Sequence, residues 1–243
     1  MQRYIAIAAL MVGGLFAGSF AVVGVLGAWW SAQAQDAKTL YPSMAPLEQY
    51  LMDPDSEIAL ARSAAPESIS RDANVVVLGR HGYETAVEGK NGFVCAVERA
   101  WMSPFDGAEF WNPKIRGALC FNPPAARSIL PITFTRTQMV LAGLSKAEII
   151  DRTKAAYAGK ELPALEPGAM CYMMSKEAYL TDDDGHNVAH LMFYTPIMSG
   201  ANWGADLPNS PVILGVHGGA AEPFTQFIVP VRRWSDGTPA QVK

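Results

Sequence analysis

The residues best suited to chemistry fall in one short stretch, His186-Asn-Val-Ala-His190. Residues four apart share a face of a strand or a helix, so both imidazoles can reach one ion. Asp182 and Asp184 stand just before the pair, and His217 and His81 are the chain's other histidines. His186, His190, His217 and Asp184 are therefore the candidate ligands for zinc or copper. The turn expected at 185–187 works against this set, because it breaks the shared face. The plain alternative is a solvated acidic turn over Thr181-Asp-Asp-Asp-Gly185.

A softer ligand set lies beside it. Cys171 and Met173 share one face of an expected strand, and His190 and Met192 share a face of the next. Consecutive strands often pair, which would gather thiol, thioether and imidazole, a set that suits copper. Methionines in such strands equally serve as core filler. Glu84 and Glu98 form an acidic pair on the face of an expected hairpin that points away from the core. Carboxylates that face each other can divide acid and base roles when their surroundings split their pKa values; on a solvated face they do nothing.

The other chemical feature is aromatic. Residues 101–122 look irregular, punctuated by Pro104, Asp106-Gly107, Asn112-Pro113 and Gly117. Trp101, Phe105, Phe110 and Trp111 in that stretch either pack down on a core or form a ligand-facing lip. Motifs for a serine nucleophile, a zinc protease, a phosphate-binding loop or a dinucleotide fold are absent. The residue types thus lean toward non-catalytic binding of a small molecule or envelope partner. A metal-dependent hydrolase or a zinc or copper carrier is the alternative, and a structural envelope protein the third reading.

Composition frames these readings. Half of the 243 residues are apolar and 17% are charged, which fits a folded body rather than a disordered chain. A formal charge of −4, with no basic cluster longer than Arg232-Arg233, argues against a nucleic-acid partner. Arg3 precedes an apolar run from Tyr4 to Trp30, and Ala32-Gln33-Ala34 has the pattern of a signal cleavage site. Residues 1–34 read as a signal peptide. The rival is an uncleaved membrane anchor over 4–30, since that run is long enough to span a bilayer. Either reading exports the rest of the chain to a periplasmic or extracellular location. The membrane is then touched only through the N-terminal segment. In an oxidising compartment the three cysteines favour one disulfide. Cys95–Cys120 is the expected pair, against an alternative of three buried thiols.

The elements that must hold these groups read as follows. Residues 35–45 form a flexible leader and 46–243 one domain. Short helical pieces span 46–52 and 56–63, separated by a break at Asp53-Pro54-Asp55. Val75-Val-Val-Leu78 is a doubly buried strand. Asn91-Gly92 between two strand-like runs signals a hairpin over 83–98, with a Lys90–Gly92 loop. Tyr83, Thr85, Val87, Phe93, Cys95 and Val97 would then share its core face, and residues 74–101 would form a three-stranded meander. Asn122-Pro123-Pro124 opens a helix, and Ser145-Lys-Ala-Glu148 is a capping box for another that stops at Gly159. Strands follow at 169–174, 188–195, 211–217 and 224–231, with a polar loop at 197–210. The fold class is α+β: a largely antiparallel sheet of about six to seven strands, with a helical insert between the N-terminal and C-terminal strands.

Overall fold

Val75 to Leu78 are all buried, and they make β1 (Asn74–Gly79) an inner strand with both faces covered. The chain turns back through Arg80-His81 into β2 (Gly82–Val87), antiparallel to β1. It then passes over the start of β1 and enters β3 (Val94–Glu98) on β1's other side, parallel to it. The expected 83–98 hairpin, and with it the meander, is therefore replaced by the order β2-β1-β3. The cause lies in the bonds the Asn91-Gly92 stretch makes. Lys90 and Asn91 both donate their backbone N–H to the Asp72 carbonyl, and Asn91 Nδ2 donates to Ile69 O at 2.7 Å. Gly89 runs so close to the Ala73–Asn74 peptide that a Cβ there would lie 2.3 Å from backbone atoms. Gly92 is left-handed as expected, with φ +77, but it turns the chain into a crossover.

The computed structural model describes residues 40–182, 188–216 and 221–240. The expected signal or anchor segment lies outside the described residues. Among the described residues no helix is long and apolar enough to cross a membrane. Leu40 to Ala45, the described end of the expected leader, is tied down: Tyr41 donates to Asp182, and Ala45 N donates to Tyr50 Oη at 3.1 Å.

The class is α+β, with eight strands in one sheet ordered β2-β1-β3-β4-β5-β6-β8-β7. The remaining strands are β4 (Gly117–Phe121), β5 (Met170–Met173), β6 (His190–Pro196), β7 (Ile213–Val216) and β8 (Phe224–Pro230). All pairs but β1–β3 are antiparallel. The sheet is thus larger than expected, because β4 lies inside the stretch that looked irregular. Cys95 on β3 faces Cys120 on β4, and the two form the expected disulfide. Closing a loop of 25 residues contributes on the order of 3 kcal/mol.

The helices divide between the two faces. α1 (Pro54–Arg62) packs on β1, β3 and β4, and short α2 (Glu67–Ser70) follows it. The Asp53-Pro54-Asp55 stretch starts α1 rather than breaking a helix: Asp53 accepts from Ser56 N, and proline sits in the first turn. The other face carries α3 (Pro123–Ser128), α4 (Leu130–Leu141) and α5 (Lys146–Ala158). Asn122 caps α3 and the Ser145/Glu148 capping box opens α5, as their spacing requires. A bulge between Val75 and Val76 splits the expected core face of β2. Val87 packs with Val75 in the α1 cluster, while Tyr83 joins Leu78 and Val140 on the α4 side.

One buried ion pair joins these layers. Glu57 on α1 holds Arg99, just past β3, at 2.9 Å, with both side chains at 1% exposure or less. Removing one partner leaves an uncompensated buried charge. Glu57→Ala should therefore lower stability by about 3–5 kcal/mol in urea unfolding. A loss under about 1 kcal/mol would mean that water reaches Arg99 and that the pair is not structural.

Candidate functional site

The four aromatic candidates gather in one apolar cluster. Trp101 is wholly buried, packs against Tyr50 at 4.9 Å between ring centroids, and donates Nε1–H to Thr137 Oγ1 at 3.0 Å. Phe110 and Trp111 meet edge to face and are buried. They line a cavity of about 530 Å³ shared with Tyr41, Met44, Leu144 and Lys146. Phe105 stacks on Phe110 at 5.7 Å between ring centroids and lies under the Arg136 guanidinium at 4.1 Å. Of the metal candidates, His186, Asp184 and His217 lie outside the described residues. His190 is described and buried. Among the described residues no three His, Cys, Asp or Glu side chains gather around one point.

His190 instead borders a different space. A cleft of about 320 Å³ lies on the α3–α5 face of the sheet, roofed by the first turn of α4 and by Met102–Pro104. Register explains its lining. Ala96–Leu119, Met173–His190 and Cys171–Met192 are cross-strand pairs, and alternation sends Glu98, Leu119, Met173, His190, Met192 and Tyr194 to one face. Gly117 pairs with Glu98 and keeps that end of the cleft open. A Cβ at Gly117 would come within 3.2 Å of Met173 Cε and 3.4 Å of Leu180 Cδ2.

Glu98 is the polar anchor at this end. Thr133 Oγ1 donates to its Oε1 at 2.5 Å. Its other carboxyl oxygen has no hydrogen-bond partner among the described residues. Enclosure by protein raises the carboxyl from its ordinary range to about 7, against the lowering effects of Thr133 and the Arg136 charge; Glu222 adds a smaller upward push. Arg136 is itself paired with Glu222 and donates to Trp101 O. Tyr194 Oη and Cys171 Sγ lie 3.4 Å apart, and burial pushes both far up, so phenol and thiol stay protonated at neutral pH. Burial also lowers His190, against the smaller upward effect of the Val188 carbonyl, which keeps its imidazole neutral. Glu98 and Glu84 do not form a pair: Glu84 is exposed on the edge strand β2, and Glu98 is half-buried in the cleft.

The first aspartate of the acidic turn, Asp182, is a structural hub rather than a solvated group. It accepts from Tyr179 at 2.5 Å, from Lys114 at 3.0 Å and from Tyr41. The two tyrosines in particular hold its carboxyl far below the usual range. Compared with protein-family models, curated proteins and solved structures, the chain matches none, so the geometry of the cleft carries the functional argument.

Glu98 sets a pH dependence of known sign. Its pKa is near 4.5 in the unfolded chain and about 7 in the fold, so the folded state binds more protons between those values. Stability should therefore fall as pH rises from 5 to 8, by up to roughly 3 kcal/mol from this group. Urea unfolding of wild type and Glu98→Gln at both pH values isolates it. The difference in stability, wild type minus variant, should drop across the window. No change would show that Glu98 is solvated.

Proposed function

We propose that the chain is an exported, non-catalytic binding protein of the cell envelope, and that its ligand enters the cleft beside Glu98. The ligand has an apolar body and a single basic nitrogen. One observation carries the reading: walls of Met102, Leu119, Ile129, Ile132 and Phe224 surround one carboxyl group with an open acceptor position. Ligand sites have this composition, mostly apolar with a few placed polar groups. The other charged groups that line this cleft are already paired, Arg99 with Glu57 and Glu222 with Arg136. An ammonium ligand would supply the missing partner to Glu98 and strip no existing bond. The signal-like residues 1–34 and the Cys95–Cys120 bond support the exported location. The protonated state of the Cys171 thiol supports a binding rather than a nucleophilic role.

Isothermal titration with n-hexylammonium, and with 1-hexanol as the uncharged control, tests this. The cation should bind more tightly than the alcohol at pH 8. Glu98→Gln should weaken it by at least about tenfold, the loss expected for one charged hydrogen bond. Equal affinity in wild type and variant, or no binding of the cation, would overturn the reading.

A further inference from the structure

A second set of groups in the same cleft has different chemistry. The geometry points to a soft-metal site of the copper(I) class, formed by His190 Nε2 and the thioethers of Met173 and Met192. The three residues sit on one sheet face. Met173 and His190 are directly opposite each other on β5 and β6, and Met192 is two residues along β6 from His190. All three line the cleft. Directly opposed residues place their Cβ atoms about 5 Å apart and diagonal ones about 7–8 Å, within reach of methionine side chains around one ion.

The histidine is already set for ligation. Its Nδ1 lies 2.5 Å from the Val188 carbonyl. A carbonyl only accepts, so Nδ1 carries the proton and Nε2 keeps its lone pair. Among the described residues Nε2 has no hydrogen-bond partner. Holding one ring nitrogen on a backbone carbonyl is how ligating histidines are usually oriented. Gln226 donates its side-chain amide to Met192 Sδ, which fixes that sulfur at the cleft wall and leaves its second lone pair unused.

The ligand set also selects the ion. Two thioethers and a neutral imidazole carry no charge and are soft, which suits copper(I). A divalent ion in this enclosed place would stay uncompensated, and the penalty for burying charge is large. Zinc takes thiolate, imidazole and carboxylate ligands rather than thioethers. Cys171 faces Met192 across the strands, but its thiol is engaged with Tyr194. The site shares the cleft with the organic ligand proposed above but uses none of its polar groups, since Glu98 is not among the three ligands.

The test is anaerobic titration of the full chain with copper(I), kept reduced by ascorbate, against a colorimetric copper(I) chelator. Wild type should take one equivalent from the chelator. X-ray absorption should show both sulfur and nitrogen around the metal. Met173→Leu/Met192→Leu conserves volume and so keeps the fold; it should weaken binding on the order of 100-fold or more. Excess zinc should leave the copper in place. Three results would each overturn the assignment: no copper taken from the chelator, binding unchanged in the double variant, or displacement by zinc. Glu98→Gln, which removes the proposed ammonium partner and none of the three metal ligands, should still take copper(I), so failure of this inference and failure of the proposed function remain distinguishable.

Discussion

The Glu57–Arg99 ion pair is the interaction on which the layers of this fold depend. Each charge has lost its water, so each must be satisfied by protein. Arg99 does this with three elements: Nε donates to Tyr50 O at 2.7 Å, Nη1 to Val97 O and Nη2 to Glu57. Glu57 uses its other oxygen to accept from Leu78 N at 3.1 Å, beyond the three residues where β1 pairs with β3. One pair thus ties α1, β1, the end of β3 and the Leu47–Gln49 turn to a common point. Tyr50 extends the tie by donating to Trp111 O at 2.8 Å. Arg116 adds a bond to Gln49 O at 3.0 Å; burial and the nearby Arg99 charge bring its pKa down to about 10.

With that side of the sheet secured, the opposite face can hold a cleft. Strands β3 to β6 are held by the disulfide between β3 and β4 and by antiparallel pairing, which between β4 and β5 is confined to Cys120–Tyr172 and Phe121–Cys171. Side chains on their α3–α5 face therefore project from a rigid base, and functional groups placed on strands are better positioned than groups on loops. α4 contributes Thr133 and Arg136 from one helical surface, three residues apart. Thr133 meets Glu98, while Arg136 is committed to Glu222 and to carbonyls near Trp101. The aromatic stretch serves this arrangement from behind. Trp101 is a buried support for α4, and Met102 next to it reaches the cleft.

Local rules were legible and non-local ones were not. The Asn122 cap, the Ser145 capping box and the Val75–Leu78 strand depend on neighbours within a few residues, and all three follow from the sequence. The pairing of β2 with β3 fails for a reason no short window contains: Asp72, Ile69 and Asn74 capture the Asn91 loop. β4 was hidden because its five residues follow a run of prolines, glycines and aromatics, and only its cross-strand partners define it. Register carried more. Placing Cys171, Met173, His190 and Met192 on two adjacent strands requires only alternation and a short connection, and the four do share a face. The enclosure of Glu98 was not legible, since an alternating Val-Cys-Ala-Val-Glu strand reads equally well with its glutamate in water. What turns it inward is the second layer, α4, arriving about 35 residues later in the chain with Thr133.

That enclosure is the strongest physical reason to treat the cleft as functional. A partly satisfied polar group inside a fold is less stable than an apolar one of the same shape. Leucine at position 98 would remove the desolvation of the carboxyl and fill space beside Gly117. Nothing in the sheet needs the carboxyl: β3 pairs through its backbone, and Thr133 could bond within its own helix. The Glu57–Arg99 pair differs, because each of its members holds several partners that would otherwise be orphaned. Sites that break local stability rules without structural return are where function is expected. By that criterion Glu57 and Arg99 build the protein, and Glu98 marks the cleft as its candidate site.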